Sequence, residues 1–375
     1  MKVSCSQEDL SKGLAVVGRA VATRAVLPIT NNVLIATEGS QLKLAATNLE
    51  IAITCWIGAT VEEEGTITIP ARLVTDFVNS LPSGRIDMIL PPRSQSVELR
   101  CARYEARVSG LDPADFPPIP KIAEGVTIKL KPEELRMAIN QVAFAAASEE
   151  SRPVLTGVDA EFDGAQLTLA AADGFRLAVR KFSLDTPVDE KMSVIIPARS
   201  LAELNRLISD QREPVELTIN PKKSQTIFRL TNVEMVSQLI QGTFPNYEQL
   251  IPQAYSTRAV VKLSEFLMAT RSASIFARDG SGIVRLQIMP KDGKGKIAIS
   301  ARAEEIGDNL GEVDAVVEGE EAKIAFNSRY LMDVLGVLTE EEVALEATTS
   351  SSPDVIRPVG KDNYVHVVMP MFVQW

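Results

Sequence analysis

Ile69-Pro70-Ala71-Arg72-Leu73-Val74-Thr75-Asp76-Phe77-Val78-Asn79-Ser80-Leu81 returns further along the chain as Ile196-Pro197-Ala198-Arg199-Ser200-Leu201-Ala202-Glu203-Leu204-Asn205-Arg206-Leu207-Ile208. A looser third copy reads Phe326-Asn327-Ser328-Arg329-Tyr330-Leu331-Met332-Asp333-Val334-Leu335. In each copy Pro or Asn precedes an amphipathic run, which marks a helix start: Pro presets φ for a first turn and Asn caps it. Pro70, Pro197 and Asn327 lie 127 and 130 residues apart. A recurrence at fixed period outranks any single element in deciding a fold.

Two further markers keep the same period. Ser6-Gln7-Glu8-Asp9-Leu10, Lys131-Pro132-Glu133-Glu134-Leu135 and Leu263-Ser264-Glu265-Phe266 each open a helical pattern with acids in the first turn, where the helix dipole favours them. Asp115-Phe116-Pro117, Thr243-Phe244-Pro245-Asn246-Tyr247 and Val368-Met369-Pro370 close the three units. Between the helices lie alternating segments such as Gln41–Thr47, Gln166–Ala171 and Ile297–Ser300, the period-2 pattern of antiparallel strands with one buried face. The chain therefore reads as an α+β protein of three tandem homologous domains, 1–123, 124–252 and 253–375. Each has two helices packed on antiparallel sheets of roughly eight strands in all, and Pro-containing extended segments join the units.

Composition bounds the function. At 45% hydrophobic but 5% aromatic, the cores must be aliphatic. No apolar stretch approaches a membrane span and the N-terminus lacks a signal peptide, so a cytoplasmic protein with no membrane partner is expected. Cys5, Cys55 and Cys101 are widely spaced and form no CxxC pair, as expected of reduced thiols rather than a metal site. The single histidine, His366, lies in an alternating run and reads as a strand residue, which speaks against histidine-dependent nucleophile systems. Phosphate-loop, dinucleotide and HExxH motifs are absent, and Gly293-Lys294-Gly295-Lys296 has the look of a hairpin turn. The acid runs Glu62–Glu64, Glu320–Glu321 and Glu340–Glu342 point adjacent carboxylates in different directions, so neither a catalytic site, a metal site nor a cofactor is expected. The formal charge of −10 argues against tight nucleic-acid binding unless the cations are gathered on one surface.

Three α+β repeats in this order, with Ala172-Asp173-Gly174-Phe175-Arg176-Leu177-Ala178-Val179, Phe244-Pro245-Asn246-Tyr247, Asp115-Phe116-Pro117 and the terminal Val368-Met369-Pro370-Met371, resemble the beta subunit of bacterial DNA polymerase III, the beta sliding clamp. The resemblance covers essentially the whole chain. It implies a non-catalytic head-to-tail homodimer closing into a six-domain ring around double-stranded DNA. Twelve helices of about 10 Å diameter laid side by side enclose a circle about 38 Å between opposing axes, leaving a hole of about 28 Å. The resemblance also implies that replicative polymerase, clamp loader and repair polymerases dock through short peptide motifs.

Residue by residue, the likeness places the peptide cleft at Leu155, Ala172, Gly174, Phe175, Arg176, Leu177, Pro245, Val367, Met369, Pro370 and Met371. The DNA-facing positions are Arg24, Arg72, Arg152 and Arg199, with Arg24 and Arg152 matching the ends of the first helices of domains one and two. The dimer contact falls to Ala106 and Val108 of one copy against Ile275 and Phe276 of the other. Arg72, Arg199 and Arg329 stand in first turns, against the helix dipole, for one or both of two reasons. They pair at i,i+4 with Asp76, Glu203 and Asp333, or they supply a cationic lining, or both. Phe175 replaces a histidine common in the family, and Phe372-Val373-Gln374-Trp375 extends past the usual end. Ala106 is small for the interface, and Glu105 stands where a basic residue is frequent. A peptide-binding hub that never surrounds DNA would share the cleft; reversing Arg24, Arg72 and Arg199 to Glu separates the two readings.

Overall fold

A computed structural model describes residues 1–22, 27–149, 151–278, 281–291, 294–303 and 307–374. Six α-helices occur among them: α1 Gln7–Val17, α2 Ala71–Ser80, α3 Pro132–Val142, α4 Ala198–Leu207, α5 Leu263–Arg278 and α6 Ser328–Val337. The paired helices start where the repeats place them. At α1 the Ser6 hydroxyl accepts the Asp9 N–H at 3.0 Å, and at α6 the Asn327 side chain accepts the Arg329 N–H, also at 3.0 Å. Pro70 sits one position earlier than a first-turn proline, at the N-cap of α2 and without a side-chain cap.

The residues gather into two compact units, Met1–Glu133 with Ala202–Leu239, and Glu134–Leu201 with Ile240–Trp375. The middle repeat is thus shared between them, and the sheets explain why. In the first unit, Val233–Ser237 of the middle repeat pairs antiparallel with Cys55–Ile51 of the first, making one eight-stranded sheet. In the second, Arg176–Arg180 pairs with Val368–Tyr364, and the sheet runs on to twelve strands. Both joins cover edges that would otherwise offer unpaired backbone to other chains. A separate five-stranded sheet in the first unit ends on the edge strand Tyr104–Ser109.

The helices lie on these sheets by the expected spacing. α1 buries Leu10, Gly13, Leu14 and Val17, a single i, i+3, i+4, i+7 stripe, and packs beside α2. The fit is close at Gly13, where a Cβ would come 2.7 Å from Leu44 Cδ1 and 3.1 Å from Ile57 Cγ2. α6 buries Ser328, Leu331, Val334 and Leu335 beside α5, which leaves Arg329, Tyr330 and Asp333 off the buried stripe. The cores are chiefly aliphatic, but Phe162, Phe228, Phe266, Phe326 and Tyr364 are fully buried in them, so the expectation of purely aliphatic cores is corrected. All three cysteines are free and buried, and burial pushes the Cys5 thiol up to about 12 and the Cys55 thiol to about 11. His366 lies in the strand Tyr364–Val368 with no exposure, its ring 5.6 Å from Phe144. Among the described residues no helix is long and apolar enough to cross a membrane.

Candidate functional site

The strands Gln166–Ala172 and Arg176–Ser183 are joined by a tight turn that organises an exposed apolar surface of the second unit. Asp173 Oδ1 accepts the N–H groups of Phe175 (2.9 Å) and Arg176 (3.0 Å), a local turn that an aspartate favours. Gly174 takes φ +94°, a conformation costly for any residue with a Cβ. The turn tips Phe175 outward, leaving it 57% exposed, while the backbone beyond it enters the sheet. The Phe175 carbonyl accepts the Met369 N–H at 2.8 Å, and the Met371 N–H reaches the Ala325 carbonyl at 2.7 Å. The C-terminal segment is thereby held with Met369 and Met371 each 37% exposed and Phe372 93% exposed.

Beneath this surface lies a buried cluster of Ala170, Leu177, Val179, Val355 and Val367, against which half-buried Ala172, Phe244, Tyr247 and Ile251 pack. Leu155, Leu177 and Val367, expected in the cleft, are buried. Pro245 is exposed and Pro370 half-buried. The short turn Glu248–Leu250 adds Leu250, 52% exposed, which sequence reasoning missed. A lone leucine after Pro-Asn-Tyr-Glu-Gln carries no periodic signal. Met and aromatic side chains at the rim make an adaptable apolar surface.

Arg176 is the polar anchor. Its Nε donates to Asp173 Oδ2 (3.0 Å), its Nη1 to Asp333 Oδ2 (2.7 Å) and its Nη2 to the Phe144 carbonyl (2.7 Å). The guanidinium also stacks 4.3 Å from the Tyr330 ring centroid. Arg152 lies close by: a Cβ on Gly174 would come 3.4 Å from its Nη1. It precedes the short turn Pro153–Thr156 well beyond α3, so the structure puts it beside the cleft turn rather than at a helix end.

The i,i+4 pairs offered for the helix-start arginines do not form. Asp333 is taken by Arg176, and Glu203 by Arg206 (2.5 Å) and Arg19 (3.5 Å), while Asp76 has no cationic partner among the described residues. Long-range or better-oriented donors outcompete an arginine in the unfavourable N-terminal order. Arg72, Arg199 and Arg329 are exposed, with no carboxylate partner among the described residues. Arg24 and Trp375 fall outside the described residues.

At the expected dimer contact, Ile275 is 57% exposed and Phe276 half-buried. Val108 corrects the expectation: its side chain is 3% exposed without any partner, because it shares the inner face of its sheet with Val97. Ala106 is half-buried on the same strand. Across the second unit, Gly307–Ala315 pairs with the strand Lys294–Ala303 on one side, and from Ala315 onward the strand pairs with Thr257–Val261 on the other. Among the described residues, 307–314 therefore keep one open backbone edge, where Leu310 is 67% exposed. Leu310 was not legible in Asp308-Asn309-Leu310-Gly311-Glu312, where one apolar residue stands among polar ones.

The N-terminal, central and C-terminal domains of the DNA polymerase III beta subunit match residues 1–120, 129–246 and 248–372. The chain belongs to the DNA polymerase III beta subunit family. It is 31% identical to the beta sliding clamp of Bacillus subtilis (strain 168) over an alignment of 381 residues covering 99% of each chain. Against the beta sliding clamp of Staphylococcus aureus (strain N315) it is 33% identical over 362 residues, 94% of each. The crystal structure of the Bacillus subtilis DNA polymerase sliding clamp superposes with a TM-score of 0.94, covering 100% of both chains. A beta subunit of this family is a sliding clamp, a non-catalytic processivity factor of DNA polymerase III. The three matched spans agree with the three repeats, so the tandem clamp domains stand as read.

Proposed function

We propose that two copies of this chain close head to tail into a six-domain ring that encircles duplex DNA in the cytoplasm. The ring tethers replicative polymerase, clamp loader and repair polymerases by their short peptide motifs. The domains would run 1–123, 124–252 and 253–375. The observation that carries the DNA-facing part is the state of Arg72, Arg199 and Arg329. They occupy one position in three repeats, and each stays exposed and without a carboxylate partner among the described residues although a carboxylate stands four residues on. A sliding ring needs few loose phosphate contacts and no base readout, so an overall charge of −10 is compatible with a few cations on its inner helices. Arg24 and Arg152 complete the set, with Arg152 also within reach of the cleft.

The docking part rests on the exposed Phe175, Met369 and Met371 around the floor of Leu155, Leu177 and Val367, with Ala172, Gly174, Arg176, Pro245 and Pro370 shaping it. The test is retention on DNA. Ring loaded by its own organism's clamp loader onto a nicked circular plasmid should stay bound through gel filtration and be lost when the plasmid is cut once. Arg72→Glu with Arg199→Glu and Arg329→Glu should shorten retention on the circle while leaving peptide binding intact. Equal retention on circular and linear DNA would refute encirclement and favour a docking hub.

A further inference from the structure

The first repeat rebuilds the backbone of the cleft turn and gives it different side chains. Asn48, Leu49, Glu50 and Ile51 stand 125 residues before Asp173, Gly174, Phe175 and Arg176. Asn48 Oδ1 accepts the N–H groups of Glu50 (3.0 Å) and Ile51 (2.9 Å), as Asp173 does for Phe175 and Arg176. The Glu50 carbonyl accepts the Gln238 N–H at 2.9 Å, as the Phe175 carbonyl accepts that of Met369. Beneath the turn, Ala52 pairs with Val236 as Leu177 pairs with Val367, and both pairs lie in buried apolar clusters. Ile122, six residues past Phe116 as Leu250 is past Phe244, is buried in the first of these clusters. Arg229 Nη2 donates to its carbonyl at 2.9 Å, whereas Leu250 is left 52% exposed. The floor is thus filled from within, and the turn above it carries a projecting leucine in place of a glycine.

That leucine is doubly out of place. Leu49 takes φ +78°, left-handed backbone that a leucine adopts only at a steric cost. Its side chain is 46% exposed, so packing within the chain offsets little of that cost. Three hydrogen bonds hold the strain. The Thr47 hydroxyl accepts the Leu49 N–H (3.0 Å) and donates to the Ile51 carbonyl (2.9 Å), which also accepts the Asn48 N–H (3.2 Å). Backbone strain fixed beneath an exposed apolar side chain points to a contact made outside the chain. Glu50, beside it, is exposed and has no cationic partner among the described residues. An apolar knob with an acidic neighbour fits an apolar socket edged by a basic side chain. One leucine and one carboxylate make a weak contact alone, which becomes effective for a partner already tethered elsewhere on the protein. Among tethered partners, an enzyme that handles DNA is the one with a basic surface to offer. We infer that the turn 47–51 is a second docking surface, gripped by the body of the replicative polymerase while its peptide holds the cleft. For its partner this rests on the docking role proposed above.

The experiment uses the full-length protein and two probes. One is the intact replicative polymerase of the same organism; the other is a fluorescein-labelled decapeptide from that polymerase's C-terminus, read by fluorescence anisotropy. Wild type should bind the intact polymerase more tightly than the decapeptide. Leu49→Asn removes the apolar knob and supplies a residue at ease in left-handed backbone, so the melting midpoint should hold or rise. It should weaken polymerase binding roughly tenfold, as loss of an apolar anchor does. Decapeptide affinity should stay within about twofold of wild type, because the two sites share no residues. Leu49→Met, apolar and of similar volume, should keep polymerase affinity. Glu50→Lys should slow polymerase association and flatten its dependence on salt. Polymerase binding by Leu49→Asn within about twofold of wild type overturns the inference. So does a fall in its melting midpoint, which would make Leu49 a part of the fold, and so does a wild type that holds the polymerase no better than the decapeptide. If wild type does not bind the decapeptide, the cleft reading falls. Polymerase binding by wild type and Leu49→Asn then still decides whether the turn docks a partner, and equal binding refutes it.

Discussion

Two buried ionisable groups face each other's strands in the second unit, and their proton affinities are displaced in opposite directions. Asp354 has no exposure, and neither carboxylate oxygen has a hydrogen-bond partner among the described residues; burial pushes it up to about 8 from an ordinary 3.8. His366 is likewise unexposed, and burial, reinforced by the Arg176 charge, brings it down to about 3 from 6.5. Protons bound more tightly by the folded chain make Asp354's contribution fall as pH rises from 3.8 to about 8. Protons bound more tightly by the unfolded chain make His366's contribution fall as pH drops from 6.5 toward about 3. Between pH 3.8 and 6.5 the two slopes, each at most about 1.4 kcal/mol per pH unit, oppose one another. Removing one group should therefore expose the other. Relative to wild type, Asp354→Asn should gain stability as pH rises to 8, and His366→Phe should gain it as pH falls below 6.5. Urea melts at pH 4, 6 and 8 read both, and variant-minus-wild-type differences that do not change with pH would show that neither group is displaced. His366 was legible as a strand residue from its alternating neighbours. Its burial beside Phe144, and the isolation of Asp354, depend on strands that meet only in the folded sheet.

At the scale of elements, the helix-on-sheet contacts are tight enough to be tested by one carbon. A methyl on Gly13 raises the intrinsic helix propensity of α1 by about 1 kcal/mol. It also places that carbon 2.7 Å from Leu44 Cδ1 and 3.1 Å from Ile57 Cγ2, inside ordinary contact, and overpacking of a core costs about 1–3 kcal/mol. The second effect should win, so Gly13→Ala is expected to destabilise by about 1 kcal/mol in denaturant melts; a stabilised variant would mean that the Leu44 side chain yields freely. This element illustrates what sequence patterning reveals. The Leu10, Leu14 and Val17 stripe and the Ser6 cap are local, and so were readable. The starts of α2, α4 and α6 were readable because Pro70, Pro197 and Asn327 repeat. The strand partners between repeats were not, since Val233–Ser237 and Cys55–Ile51 reveal nothing of their pairing until the sheet exists. For the same reason the pairing alternative offered for Asp333 fails: the local candidate four residues back loses to Arg176, which the fold delivers from the neighbouring repeat.

For the whole molecule, the open question is closure, and the two ends of the chain carry matching deficits. The strand Tyr104–Ser109 is the last of its sheet, with Tyr104 55% exposed. Among the described residues, 307–314 leave one backbone edge open, with Ile275 and Leu310 at 57% and 67% exposure. Long exposed edges with apolar neighbours invite pairing with another chain. An edge in the first domain meeting an edge in the third, from a second copy, uses both twice in a closed dimer and leaves none over. Charge is divided at the first edge, where Arg103 and Arg107 flank Glu105 and Arg107 is paired with Glu98, while Asp308, Glu312 and Asp314 lie on the second. Light scattering should accordingly give twice the 40.7 kDa chain mass, persisting on dilution. Leu310→Asp with Ile275→Asp, exposed in the single chain and so tolerable to its fold, should give a monomer with an unchanged melting midpoint extrapolated to low concentration. Retention on circular DNA should disappear with the dimer, while decapeptide binding, which needs only residues of the second unit, should persist. A double variant that still runs at twice the chain mass would place the dimer contact elsewhere and free Ala106 and Phe276 of the role proposed for them.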